Sequence, residues 1–378
     1  MTGTASPEVG EPLVVGHNTV VVGEMCGLAV LRGADVFCPG ILCLPPGVSP
    51  GDSVSVLADV SNKCLRGAKI FEGETHHVAN GVMRVSREQL FKCEAPGQGV
   101  GVEITERRYP CPSLDESSFS GLFMLQNLPS IIAVDMLGID IKSSWKGWNS
   151  SSSNHHLKAC DLVNDYDIHI FPLAAPKPGE RVLDMCAAPG GKTTHIAQKM
   201  RNTGLVVACD KSKNKVQSIE TNCSRLGATN VRCFAMDATK CLATEECDGS
   251  SPSFPPFSRE YFDRVLLDAP CSGLGQRPQF YNKMKLKELK SFPKIQRKLF
   301  STAVDLLARG GVLVYSTCTN NVEENEELVS WALDTFQDME EVERKTFGRP
   351  NSEIDTISFF ISKFIKKTWN WTSFFKVE

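Results

Sequence analysis

The 378-residue sequence has no apolar run long enough to span a membrane, and its N-terminus carries no signal-peptide pattern. A membrane-embedded or secreted protein is therefore not expected. Positive charge is not in surplus: 41 Lys and Arg stand against 44 Asp and Glu, a net charge of −3. A nucleic-acid binder with this balance must segregate its basic residues. There is no disulfide framework either. The cysteines number 15, an odd count without regular spacing, which reads as reduced thiols of an intracellular protein. His155, His156 and Cys160 fit no structural zinc spacing, so no metal is expected. Two nucleotide-binding signatures are also missing. No G-x-G-x-x-G occurs, and a P-loop ending in Lys192-Thr193 would need glycine where Cys186 stands. The remaining composition, 42% hydrophobic and 22% charged, is that of a globular protein of two or three domains.

The chain is organised around Val182-Leu183-Asp184-Met185-Cys186-Ala187-Ala188-Pro189-Gly190-Gly191-Lys192-Thr193-Thr194. A short apolar strand runs into a turn of small residues, and Lys192 to Met200 reads as a helix. Strand, glycine turn and helix N-terminus make a cradle for a nucleotide-like ligand. Three more apolar runs follow, Leu205–Cys209, Val231–Met236 and Val265–Leu267, and each ends in an aspartate: Asp210, Asp237, Asp268. One such aspartate is usually a turn or helix cap. Three in succession point to a parallel sheet with carboxylates along the rim where ligands bind.

Residues 1–18 read as a loose end. From Thr19 to about Arg107 the chain is β-rich, with short strands at Val20–Val22, Ala29–Leu31, Val54–Leu57 and Val100–Ile104. Turn residues punctuate them, Asn80-Gly81 among them. That spacing suits a small barrel. Residues 108–137 connect, with a helix over Leu122–Leu137. Residues 138–175 read as an irregular insertion. A second domain covers 176–367, and 368–378 form an aromatic tail with Trp369, Trp371, Phe374 and Phe375. Within the second domain, Tyr281 to Phe300 concentrates positive charge, with Lys283, Lys285 and Lys287 at its start. An apolar stripe makes it an amphipathic helix pair, placed where phosphate contact is expected. A helix over Thr302–Leu307, a strand over Val312–Tyr315, an acidic helix over Glu323–Phe336 and a last strand pair at Ser358–Ile361 and Phe364-Ile365 complete it.

Cys271 and Cys318 each fall just past a strand on the ligand-bearing rim. In neighbouring strands they would lie about 5 Å apart. A cysteine is ordinarily an inert buried hydrophobe. Beside a crevice with Lys192 near, either becomes a candidate nucleophile.

Two resemblances give these features names. Cys26 to Ile41 and Pro50 to Val56 resemble a PUA domain, an RNA-binding pseudo-barrel. Its RNA-facing loop corresponds to Arg32-Gly33-Ala34, with Lys63, Arg66 and Lys69 on the same domain as further phosphate contacts. Asp-x-Cys-Ala-Ala-Pro-Gly-Gly-Lys-Thr, Asp-Ala-Pro-Cys-Ser-Gly and Ser-Thr-Cys-Thr resemble the Nol/Nop/Sun (NSUN, bacterial Fmu-like) family of RNA cytosine-5 methyltransferases. The domain order is similar to its PUA-bearing NSUN6-type subgroup, which acts on the acceptor end of certain tRNAs. The implied fold is α/β: a Rossmann-like S-adenosylmethionine-dependent methyltransferase domain behind an N-terminal PUA-like pseudo-barrel.

The resemblance implies that Cys186, Ala187, Ala188, Pro189, Gly190, Gly191 and Lys192 wrap the methionine end of S-adenosylmethionine. Asp210 would hold its ribose and Asp237 lie by the adenine. Asp268 would face the methyl group and the cytosine amino edge. Cys318 is implied as the nucleophile that adds to carbon 6 of cytosine, and Cys271 as the residue that assists its release. A cytoplasmic monomer acting on RNA, with tRNA foremost, is the expectation. Three departures bear on it: little chain precedes the barrel-like part, 138–175 looks inserted, and the stretch between Glu343 and Ser352 is short. They leave open a second reading, a family variant that binds RNA or S-adenosylmethionine without turnover.

Overall fold

The computed structural model describes residues 14–16, 18–91, 98–108, 124, 126–138, 179–243, 254–348 and 357–368. Most of 1–18, 108–175 and 368–378, with His155, His156, Cys160 and the tail aromatics, lies outside the described residues. The described chain falls into two compact units. The first takes the residues up to 108 together with Arg277–Asn282, and the second takes the rest.

In the first unit, β1 (Thr19–Gly23) runs directly into α1 (Glu24–Leu31). Then follow β2 (Val36–Phe37), β3 (Ile41–Cys43), β4 (Ser53–Asp59), β5 (Thr75–Met83), α2 (Arg87–Phe91) and β6 (Val100–Arg107). The strands form one sheet in the order β2-β6-β5-β4-β1-β3, with β1 and β4 parallel. Two expectations are corrected here. Ala29–Leu31 is the last turn of α1, not a strand. A three-residue apolar run is ambiguous by itself. Here Arg32 N reaches back to Leu28 O and Ala29 O, and Gly33 at φ 104° ends the helix. Asn80-Gly81 is not a turn but the interior of β5, where pairing with both β4 and β6 outweighs turn propensity and a register shift absorbs the irregularity.

The second unit contains α3 (Leu128–Met136), β7 (Arg181–Asp184), α4 (Gly191–Lys199), β8 (Leu205–Asp210), α5 (Lys213–Arg225), β9 (Val231–Ala235) and β10 (Phe262–Asp268). It continues with α6 (Leu286–Leu289), α7 (Phe292–Leu306), β11 (Leu307–Thr317), α8 (Glu326–Thr335), β12 (Met339–Phe347) and β13 (Phe359–Lys366). Its sheet order is β12-β13-β11-β10-β7-β8-β9. The pairs from β9 through β11 are parallel, and β13 is antiparallel to both neighbours. This is the doubly wound α/β sheet expected of a Rossmann-like domain.

Strand alternation assigns two cores. Leu183, Val207, Val265, Leu267, Leu313, Tyr315 and Phe360 pack with Leu299, Phe300 and Ala303 of α7 and Leu328 of α8. Their alternate neighbours Val182, Val206, Leu266, Val314 and Ile361 pack with Ile132 of α3 and Ile196 and Ala197 of α4. Covered on both faces, the central strands are apolar throughout rather than alternating. Each fully buried Val, Leu or Phe contributes about 1.5–3 kcal/mol.

Several boundaries differ from the sequence reading: the helix expected over Leu122–Leu137 is α3, starting at Leu128 after its Asn127 cap, and the acidic helix begins at Glu326 rather than Glu323. A single helix, α7, spans Phe292–Leu306, and β11 begins at Leu307 and carries Gly310-Gly311 within it. Ser358–Ile361 and Phe364-Ile365 belong to the one strand β13 and its lead-in rather than to a pair. The outer partner of β13 is β12, a charged edge strand that the sequence reading did not identify.

Candidate active site

The chain enters the sheet at β7, steps outward to β8 and β9, then returns to the other side at β10 and β11. Neighbours β7 and β10 therefore diverge at their carboxyl ends, where a doubly wound sheet opens its ligand crevice. Asp184 closes β7 and Asp268 closes β10.

The loop from Cys186 to Gly191 is pinned from several sides. Ala187 N donates to Cys209 O of β8 at 2.9 Å, and Gly190 N donates to Ala187 O at 2.8 Å. Asn222 of α5 donates to Pro189 O at 2.9 Å. Gln126, just before α3, donates to Gly191 O at 2.8 Å. Gly190 takes φ 104°, and a Cβ there would lie 3.2 Å from Ile219 Cα. The left-handed turn and the tight approach both call for glycine. It starts α4 on this rim with its first amide groups free of side-chain caps.

Lys192, at the start of α4, reaches across to Asp268. Its Nζ lies 2.8 Å from Oδ2. Burial pulls the Lys192 ammonium down, but the Asp268 carboxylate outweighs it and holds the group above its usual value. The other oxygen of Asp268 accepts a hydrogen bond from Ser316 Oγ at 2.7 Å. Asp184 is 1% exposed. Its Oδ2 accepts from Thr193 Oγ1 at 2.7 Å, while Oδ1 has no hydrogen-bond partner. Burial raises its carboxyl to about 7.

Cys271 and Cys318 follow β10 and β11, which pair in parallel with Asp268 opposite Ser316. Their sulfurs are 3.3 Å apart. Gln276 Nε2 donates to Cys318 Sγ at 3.2 Å. The hydrogen bond from Cys271 lowers Cys318 to about 7 against the opposing effect of burial, with Gln276 and Lys192 helping. The same pairing, with burial, raises Cys271. These shifts favour the anion on Cys318, and either sulfur is placed to donate across the contact.

A buried polar network registers the two cysteine loops. Ser272 Oγ and Thr319 Oγ1, one residue past each cysteine, are 2.8 Å apart. Glu324, fully buried, accepts from Ser272 N at 3.0 Å, from Gln296 Nε2 at 2.9 Å and from Asn321 Nδ2 at 3.0 Å. Asn325 ties Thr317 and Thr319 O from the other side.

The remaining sequence candidates are placed as follows. Asp210 ends β8, and one of its oxygens accepts from Ser212 N at 3.1 Å. Asp237 follows β9 and caps the next turn through Thr239, whose hydrogen bonds hold its carboxyl below the usual range, with Lys211 adding to the effect. Lys211 Nζ lies 3.6 Å from the other Asp237 oxygen. Lys283 and Lys285 ahead of α6 and Lys287 within it are exposed. Arg32, Gly33, Lys63, Arg66 and Lys69 belong to the other unit. Lys63 and Lys69 are exposed there. Arg66 instead donates to Pro39 O at 2.7 Å and Ile41 O at 3.2 Å, and its guanidinium lies over the Phe91 ring. Its fork is engaged in holding its own unit together. Every described cysteine is a free thiol, and among the described residues no His, Cys, Asp or Glu group is placed to hold a metal.

Sequence reading missed Gln276, Gln296, Glu324 and Asn325. Glu324 sits in an acidic run that reads as a solvated helix face, and no local signal marks it as buried.

A family model described as 16S rRNA methyltransferase RsmB/F matches residues 172–376. The mouse tRNA (cytosine(72)-C(5))-methyltransferase NSUN6 is 44% identical over 320 residues, 85% of this chain and 59% of its own length. A tRNA (cytosine(72)-C(5))-methyltransferase of Pyrococcus horikoshii is 32% identical, over 85% of this chain and 66% of its own. The crystal structure of NSun6 from Pyrococcus horikoshii with SFG superposes with a TM-score of 0.68 at 28% identity, covering 97% of this chain and 79% of that one. This chain thus spans about three-fifths of the length of the mouse relative.

Proposed function

The chain belongs to the 16S rRNA methyltransferase RsmB/F family, and on that premise we propose that it transfers a methyl group from S-adenosylmethionine to carbon 5 of a cytosine in RNA, with the acceptor end of tRNA as target. The observation that carries the reading is the 3.3 Å approach of Cys271 and Cys318 at the tips of adjacent parallel strands, beside the Lys192–Asp268 pair. The two relatives named for cytosine 72 of tRNA support the choice of substrate. The analogue named in the archaeal structure's title supports the cofactor.

The residues present fit that cofactor. The Cys186–Gly191 loop and the start of α4 offer backbone donors to a methionine carboxylate. Asp210 and Asp237 offer acceptors to ribose hydroxyls and to an adenine amino group. When bound, the sulfonium group supplies an electrophilic methyl. The Cys318 thiolate adds to carbon 6 of the flipped cytosine, and the electron pair released into the ring makes carbon 5 nucleophilic. Carbon 5 takes the methyl group. Loss of its proton then restores the double bond and expels Cys318 as thiolate, with Cys271 assisting. Asp268, an acceptor held by Lys192 and Ser316, suits the 4-amino donor that distinguishes cytosine from uracil. The first unit serves as a PUA-like RNA-binding module, and Lys283, Lys285 and Lys287 meet phosphate.

The test is incubation of the purified chain with labelled S-adenosylmethionine and total tRNA. Label in 5-methylcytosine is expected. Cys318→Ala should abolish it, and Cys271→Ala should accumulate a covalent RNA adduct visible on a denaturing gel. Near-full activity of Cys318→Ala would refute the mechanism. RNA binding without label in the unaltered chain would favour a family variant that binds without turnover.

A further inference from the structure

The loop after Cys271 has a feature that the covalent mechanism does not use. It runs Ser272-Gly273-Leu274-Gly275-Gln276 and is laced between two other segments. Gly275 N donates to Cys318 O at 3.1 Å, and Ser358 N donates to Gly275 O at 2.9 Å. A Cβ at position 275 would collide with Ser358 O and lie 2.9 Å from Cys318 O. Only glycine lets the backbone pass there. The lacing fixes the next residue beside the thiol of Cys318, with Gln276 Nε2 3.2 Å from Sγ. Gln276 N is itself held by Gly273 O at 3.1 Å.

We propose that Gln276 is a catalytic residue that donates a hydrogen bond to the Cys318 thiolate, poises it for attack, and stabilises the charge that returns to the sulfur when the cysteine is expelled. An amide suits this better than a cation. It favours the anion without forming an ion pair that must be broken before sulfur can bond to carbon. It also carries no proton that the thiolate could remove. The Cys271 contact can run in either direction and its thiol can lose its proton, whereas Gln276 Nε2 only donates and so keeps a donor on Cys318 through the whole cycle. The downward shift of the Cys318 thiol agrees with two donors acting together.

The role rests on the methyl-transfer reading, but its test does not. Full-length protein is alkylated with iodoacetamide across pH 5.5–9.5, without RNA or cofactor, and Cys318 modification is followed by peptide mass. In Gln276→Leu the midpoint of the Cys318 profile is expected to rise by about one unit. The plateau rate should rise about two- to threefold, because a more basic thiolate is the stronger nucleophile. Gln276→Glu, which replaces the donor with a negative charge, should raise the midpoint further. The exposed side chain leaves the fold intact, which a thermal melt checks. Unmoved midpoints in both variants would overturn the proposal, whatever the methyl-transfer assay shows. In that assay, the acid limb of kcat/KM should move upward with the thiol.

Discussion

At the scale of single residues, Asp184 is where chemistry and stability meet. Its carboxyl is buried against one hydroxyl and has an oxygen without a partner. Burial therefore favours the protonated form, with a folded value of about 7 against about 4 in the unfolded chain. The sign follows from proton counting. Between those two values the folded chain keeps a proton that the unfolded chain has lost, so stability falls as pH rises through the window and levels off above it. Asp184→Asn removes the titration and keeps an acceptor for Thr193. Urea unfolding at pH 5 and pH 8 should show that the variant loses less stability than the wild type over that step. Only the two units from pH 5 to the folded value fall within that step, so the difference has an upper bound of about 2.7 kcal/mol. Parallel pH profiles for the two proteins would show that Asp184 is ionised in the fold. The same residue marks a limit of local reading. Its place in the glycine-loop motif was evident, whereas its burial and its orphaned oxygen depend on β8 and β10 closing over it.

Elements determine how closely the two thiols approach. The loops after β10 and β11 have no regular structure, yet they are held by Glu324, Gln296 and Asn325, side chains from α7 and from the turn before α8. Glu324→Ala leaves Ser272 N, Gln296 Nε2 and Asn321 Nδ2 without their shared acceptor. A loss of about 3 kcal/mol is expected from denaturant unfolding, with a smaller loss in Glu324→Gln, which still accepts through one oxygen. A loss under about 1 kcal/mol in Glu324→Ala would mean that water replaces the carboxylate and that the network does not set the loops. Element identity was uneven in the sequence. The β7–α4, β8 and β10 units were evident because a buried parallel strand is a continuous apolar run, and β9, a half-exposed edge strand, was marked by its mostly apolar sequence before Asp237. The edge strand β12 was hidden because its middle is charged and only Met339 and Phe347 at its ends are buried. Its strand character comes from pairing with β13.

Over the whole molecule, a net charge of −3 coexists with a basic stretch leading into α6 and α7. That segregation is what the proposed RNA role requires. Replacing Lys283, Lys285 and Lys287 with glutamine should lower the slope of log binding constant against log salt by between about 2 and 3 and weaken tRNA binding without regard to sequence. The Cys318 titration should not move. An unchanged slope would remove these lysines from the phosphate interface. No helix among the described residues is long and apolar enough to cross a membrane. The sequence by itself determined the chemistry on offer, because a glycine loop, a rim of aspartates and two cysteines past apolar runs are local patterns that survive without coordinates. Only the tertiary structure decided how closely the two thiols meet and what surrounds them. That depends on a 3.3 Å sulfur contact, the Gln276 amide from the loop that follows Cys271 and a lysine paired with Asp268, and strand pairing alone brings groups so distant in the chain together.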